Sequence, residues 1–120
     1  MRAAISKTRP REKNAGAMLD AIRQILGLSE SDLADLFHVR APSIYGWREA
    51  GIPDARRASV ERILDLATVL RRELKATRIA QIVRTPDDWL GGKTILETIR
   101  DEGPEAVYAY LHRLFSYTGT

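Results

Sequence analysis

Between Asp54 and Val83 the chain contains neither glycine nor proline, and its apolar residues keep a helical stripe. Val60, Ile63, Leu64, Ala67, Leu70 and Leu74 recur every three or four residues, the spacing of one helix face. A half-buried strand would alternate with period two, so this stretch commits a large share of the chain to helix. The phase then slips before Ile79, Ile82 and Val83. A break near Ala76–Thr77, with Thr77 as cap, accounts for the slip; one continuous helix is the alternative.

The flanking segments have the same character. Met18, Leu19, Ile22, Ile25 and Leu26 predict a helix from Ala17 that Gly27 stops. Ser29 is placed to cap a second helix, with Asp32 as its capping-box partner, and Leu33, Ala34 and Phe37 share a face. Pro42 suits the first turn of a short third helix over Pro42 to Glu49, closed by Gly51 and Pro53. Thr94 and Glu97 form a capping box on a helix that ends at Gly103-Pro104. A last helix runs from Pro104 to Ser116. No segment alternates like a strand and no repeat is present, so the fold class is all-α.

Charge divides the chain more sharply than its net +3 suggests. Residues 1–16 carry five basic side chains against Glu12 alone and show no periodicity, which predicts a flexible basic arm. Residues 17–39 set Arg23 against four carboxylates, and residues 40–78 carry nine basic and five acidic groups. Residues 79–120 are acidic again, with four basic and six acidic groups. Two basic blocks suit a polyanionic partner, although a basic arm plus solvated helix faces gives the same arithmetic.

Several function classes lack their residues. No stretch reaches the roughly 18 uninterrupted apolar residues of a membrane span, and Met1 to Pro10 has no apolar signal core, so the cytoplasm is expected. There is no cysteine, hence no disulfide framework and no thiolate chemistry. His38 and His112 lie far apart without ligand spacing, and the acidic cluster Asp101, Glu102 and Glu105 has no further support as a metal site. Gly91-Gly92-Lys93-Thr94 imitates the end of a phosphate-binding loop. However, Asp87 stands where that loop needs its first glycine, and no strand precedes it. Neither an enzyme, a cofactor nor a metal is expected.

Residues 28–51 carry the most specific pattern. Apolar positions at Leu33, Ala34, Phe37, Val39, Ile44 and Trp47 describe two short helices joined by a three- or four-residue turn. The small Ala34 lets the second helix cross closely over the first. This segment resembles the Xre/Cro-type helix-turn-helix family, matching its LSxxxLAxxxxVxxxxIxxW framework. The resemblance implies that the second helix enters the major groove of double-stranded DNA. On this chain the DNA-facing residues are then Arg40, Ala41, Pro42, Ser43, Tyr45, Gly46 and Arg48, with Arg48 at a phosphate. Arg9, Arg11 and Lys13 are candidates for an arm in a minor groove. Few of these groups bond bases in pairs, so thin direct readout is expected. Two positions depart from the family pattern: Glu30 replaces a phosphate-touching Gln, and His38 replaces a turn Gly.

Residues 54–117, with Trp89-Leu90-Gly91-Gly92-Lys93-Thr94-Ile95-Leu96 and Gly103-Pro104-Glu105-Ala106-Val107, are similar to the toxin-binding domain of Xre/MbcA/ParS-type antitoxins. Ile95 stands where that family has Pro. The resemblance implies a homodimer that represses its own operon at an inverted repeat and neutralises a cognate toxin, often a RES-domain enzyme. It makes Tyr117, Thr118, Gly119 and Thr120 the candidate toxin plug, and Leu66, Val69 and Leu70 candidates for the dimer seam. The expected organisation is an arm at 1–16, a DNA-binding domain at 17–76 and a C-terminal domain at 77–120. A phage-type immunity or lysogeny repressor, and an interaction adaptor that has lost DNA binding, are the alternatives.

Overall fold

The computed structural model describes residues 10–118, with side chains from Asn14 to Ser116. Among the described residues the chain is all-helical and compact, with seven helices and no strand. The first helix, α1 (Pro10–Leu26), opens seven residues before the expected Ala17. Pro10 tolerates a first helical position because its missing N–H has no partner to lose. Ala15, Leu19, Ile22 and Leu26 form its buried stripe, so residues 10–16 of the expected arm are helical; residues 1–9 lie outside the described residues.

Helix α2 (Glu30–Leu36) starts at Ser29 as the sequence predicts: Ser29 Oγ accepts from the Asp32 amide, and Asp32 Oδ2 accepts from the Ser29 amide. A four-residue turn containing His38 at φ 60 leads into α3 (Ala41–Ala50), which carries Pro42 in its first turn. Helix α4 (Asp54–Glu73) follows, and α5 (Ala76–Ile82) is separate from it. The break falls at Leu74 and Lys75, and Lys75 is the N-cap, so Thr77 lies inside α5 and caps nothing. A short 3₁₀ turn (Asp88–Leu90) precedes α6 (Ile95–Glu102), whose Thr94–Glu97 capping box forms as expected, and α7 (Pro104–Thr118) completes the chain.

Helix α1 is the centre of the packing, touching α2, α3, α4 and α5, while α6 lies against α7 and α2. One apolar core therefore runs without interruption from Ala15 to Leu111, across the boundary expected at 76/77. Gly27 illustrates the closeness of this packing. Its φ of +67 favours glycine, and a Cβ there would lie 2.9 Å from Ala80 Cβ on α5. Arg84 fastens the same corner by donating to the Leu26 and Gly27 carbonyls at 3.2 and 2.6 Å. Leu66 and Leu70 are fully buried in this core, which removes both from the dimer seam; Val69 is half-buried.

Candidate nucleic-acid interface

Helix α3 has two unlike faces. Ile44 and Trp47 are buried, with the Trp47 ring edge-on to Phe37 at 5.9 Å between centroids. Arg56, from the first turn of α4, lies 5.9 Å from the Trp47 ring centre and donates to the Phe37 carbonyl at 2.7 Å. These contacts fix α3 by its inner face. Its outer face presents Pro42, Tyr45, Gly46, Glu49 and Ala50 to solvent, with Tyr45 53% exposed.

Gly46 is the informative residue on that face. It sits mid-helix with nothing within 4 Å of where a Cβ would be, so the folded chain has no internal need of glycine here. Glycine at such a position weakens a helix by about 1 kcal/mol relative to alanine. The bare backbone instead allows an outside surface to approach the helix closely.

The DNA-facing residues expected from sequence are partly brought together. Arg40, Pro42, Tyr45 and Gly46 are exposed at the start and along the outer face of α3, and Ala41 and Ser43 are half-buried beside them. Arg40 occupies the N-cap position without bonding through its side chain there. Arg48 departs from the expectation. Its guanidinium turns back to α1 and α2, bonding Asp20 Oδ1 and Glu30 Oε1, the latter at 2.7 Å. Burial works against its charge, but the bonds to Asp20 and Glu30 outweigh that cost and raise its pKa. With its two terminal nitrogens bonded to Asp20 and Glu30, the Arg48 guanidinium anchors α3 to α1 and α2 and has its charge matched within the fold.

Glu30 is thereby explained, since it is the acceptor that Arg48 requires. The two residues differ in sequence position but are complementary in charge, a signal present in the sequence and missed there. Glu49 was also missed. It is an exposed carboxylate on the outer face of α3, and it narrows the stretch that can approach phosphates.

No family model, curated protein or solved structure matches this chain.

The remaining expected residues are placed as follows. Arg9 lies outside the described residues, and Arg11 and Lys13 are described by their backbone within α1. Tyr117 and Thr118 continue α7, while Gly119 and Thr120 lie outside the described residues. His38 Nε2 donates to the Arg100 carbonyl at 2.5 Å, tying the α2–α3 turn to α6. That contact accompanies the left-handed backbone which a non-glycine residue adopts at some cost. His112 is exposed. No group of three potential metal ligands forms among the described residues, and no described helix is long and apolar enough to cross a membrane.

The Gly91-Gly92-Lys93-Thr94 segment is a turn. Its Lys93 ammonium meets Glu102 at 3.1 Å and Asp101 at 3.4 Å, and the bond to Glu102 leads in raising its pKa. Asp87 organises this turn: its side chain accepts from the Trp89 amide at 2.8 Å and from the Tyr110 hydroxyl at 2.9 Å. Beside it, Arg113 stacks on the half-exposed Trp89 ring at 4.8 Å.

Proposed function

We propose that this protein is a dimeric DNA-binding repressor in which α2 and α3 act as a helix-turn-helix, and that it serves as the autoregulating antitoxin of a toxin–antitoxin pair. The observation that carries the DNA-binding reading is Gly46, a helix-weakening residue kept on a solvent face where the fold leaves its Cβ position empty. Tyr45 and Pro42 flank it as exposed contact groups, and Arg40 supplies a cation at the leading end. Phe37, Trp47 and Arg56 hold the helix rigidly enough to present that face. Specificity from so few hydrogen-bonding groups relies on thymine-methyl contacts and on DNA shape as much as on base edges.

The toxin-facing side belongs to the C-terminal helices. The Arg113–Trp89 stack at the base of α7 offers an exposed aromatic with a cation upon it, a composition enriched in protein interfaces. Glu49, a carboxylate on the outer face of α3, instead favours an adaptor that no longer binds DNA.

One experiment decides between them: binding to a duplex carrying the sequence upstream of the protein's own reading frame, against a scrambled duplex. Preference for the upstream duplex supports the repressor, and its loss in Gly46→Glu supports α3 as the reading element. That substitution is expected to preserve or raise thermal stability, because glutamate is the better helix former. Equal, weak binding to both duplexes by the unaltered protein sinks the repressor reading in favour of the adaptor. For the toxin, co-expression with the protein of the neighbouring reading frame should restore growth, and removal of residues 116–120 should abolish that rescue while sparing DNA binding.

A further inference from the structure

Cations in this protein are almost all spoken for. Apart from Arg40, every lysine and arginine with a described side chain outside one corner meets a carboxylate, a backbone carbonyl or an aromatic ring. The corner is the junction of α4 and α5. There Arg71, Lys75 and Arg78 are exposed and have no ion-pair or hydrogen-bond partner among the described residues; Glu73, the one acid in residues 71–78, is engaged by Arg72, and Asp87, which shares a hollow with Arg78, accepts from the Trp89 amide and the Tyr110 hydroxyl.

Internal electrostatics explains only part of this cluster. Arg71 and Arg72 lie in the last turn of α4, where the helix dipole favours positive charge. Lys75 and Arg78 lie at the N-cap and in the first turn of α5, the end where the dipole opposes it, and that turn contains no acid. Four like charges are thus gathered within eight residues, two of them at the wrong end of a helix, with one carboxylate in return.

We infer that Arg71, Lys75 and Arg78 form a second, sequence-independent contact surface for the phosphate backbone of duplex DNA, outside the groove entered by α3. The absence of apolar anchors favours phosphate over an acidic protein. The exposed large hydrophobic residues among the described ones are Tyr45 and Trp89, and neither belongs to this corner. Protein interfaces draw their energy from buried aromatic and arginine anchors in packed pockets, whereas phosphate contacts need cations and displaced counterions alone. Position agrees. Arg71 lies fifteen residues along α4 from Arg56, the residue beside Trp47 of α3. At 1.5 Å per residue that is roughly 22 Å, well beyond the roughly 12 Å width of a major groove. The corner is therefore far enough from α3 to reach backbone outside the groove that α3 enters. The choice of DNA as ligand rests on the reading of α3 given above.

The test is a salt titration between about 50 and 200 mM, with upstream and scrambled duplexes, on the unaltered protein and on Arg71→Ala/Lys75→Ala/Arg78→Ala. Three lost phosphate contacts should lower the slope of log affinity against log salt by about 2.7 on both duplexes, leaving the preference between them unchanged. A thermal melt superimposable on that of the unaltered protein shows that the fold is kept, and single substitutions, each lowering the slope by about 0.9, replace the triple variant if its melt shifts. An unchanged slope overturns the corner as a DNA contact, whatever Gly46→Glu does. A lowered slope together with an indifferent Gly46→Glu keeps the corner and overturns α3 as the reader. Failure of the unaltered protein to bind either duplex at low salt overturns both.

Discussion

Arg48 shows how a residue's role can invert between sequence and fold. Read along α3 it is a basic side chain at the end of a DNA-facing helix, yet its guanidinium is spent on Asp20 and Glu30. Arg48→Ala leaves Asp20 without this partner and Glu30 with Arg23 alone, 3.6 Å away, on a partly covered surface. A loss of about 1–2 kcal/mol in urea unfolding is expected, below the value for a fully buried charged bond because Asp20 is half-exposed. Its DNA salt slope should match that of the unaltered protein; a drop of about 0.9 would put Arg48 back on a phosphate. His38 is a second case. Its left-handed backbone costs on the order of 1 kcal/mol, and its bond to the Arg100 carbonyl returns a similar amount. His38→Gly should therefore leave stability within about 1 kcal/mol, whereas His38→Val, which loses the bond and keeps the strain, should cost at least about 2 kcal/mol by the same measurement.

At the scale of elements, the packing of α1 on α5 depends on a missing side chain. Gly27→Ala meets both the positive φ and the Ala80 methyl at 2.9 Å, and should lower stability by about 2 kcal/mol. Combining it with Ala80→Gly removes the collision but not the backbone strain. The double-mutant cycle should accordingly show a favourable coupling of about 1 kcal/mol, and additive effects would mean that α1 and α5 are not in contact there. The helices themselves were legible from local signals. The Ser29 and Thr94 capping boxes sit where the sequence puts them, because a cap is an interaction between residues three apart. The start of α1 was not legible, since Ala15, the first buried residue among its described side chains, is too small to mark an apolar stripe. The break after α4 was misplaced for a related reason. It has no side-chain cap, and the chain turns there so that Ile79 and Val83 can reach the shared core.

Across the whole molecule, polar links join what sequence alone divides in two. Arg62 pairs with Glu105 at 3.0 Å, Arg100 with Asp35 at 3.3 Å, and Arg84 donates to the Gly27 carbonyl at 2.6 Å. Within the C-terminal part Tyr110 bonds Asp87, and burial, followed by that carboxylate, pushes its hydroxyl up to about 12. The phenol stays protonated in the folded chain over a range where the unfolded chain, near pH 10, has already ionised. Its contribution is complete below pH 10 and disappears as pH rises towards 12, so stability should fall across that window by up to about 2 kcal/mol. Tyr110→Phe should flatten this part of the pH–stability curve measured by chemical unfolding. A curve as steep as that of the unaltered protein would show that other groups cause the decline.

Sequence by itself determined the helices, their caps and which residues of α3 face inward, because each of these follows from side chains a few positions apart and from the preference of apolar groups to leave water. Only the tertiary structure decided how the charges are distributed in use. It turned Arg48 back onto Asp20 and Glu30, buried Leu66 and Leu70, and left Arg71, Lys75 and Arg78 exposed without an ion pair among the described residues. A charge acts according to what lies within a few ångströms of it, and those neighbours come from elements far apart in the chain.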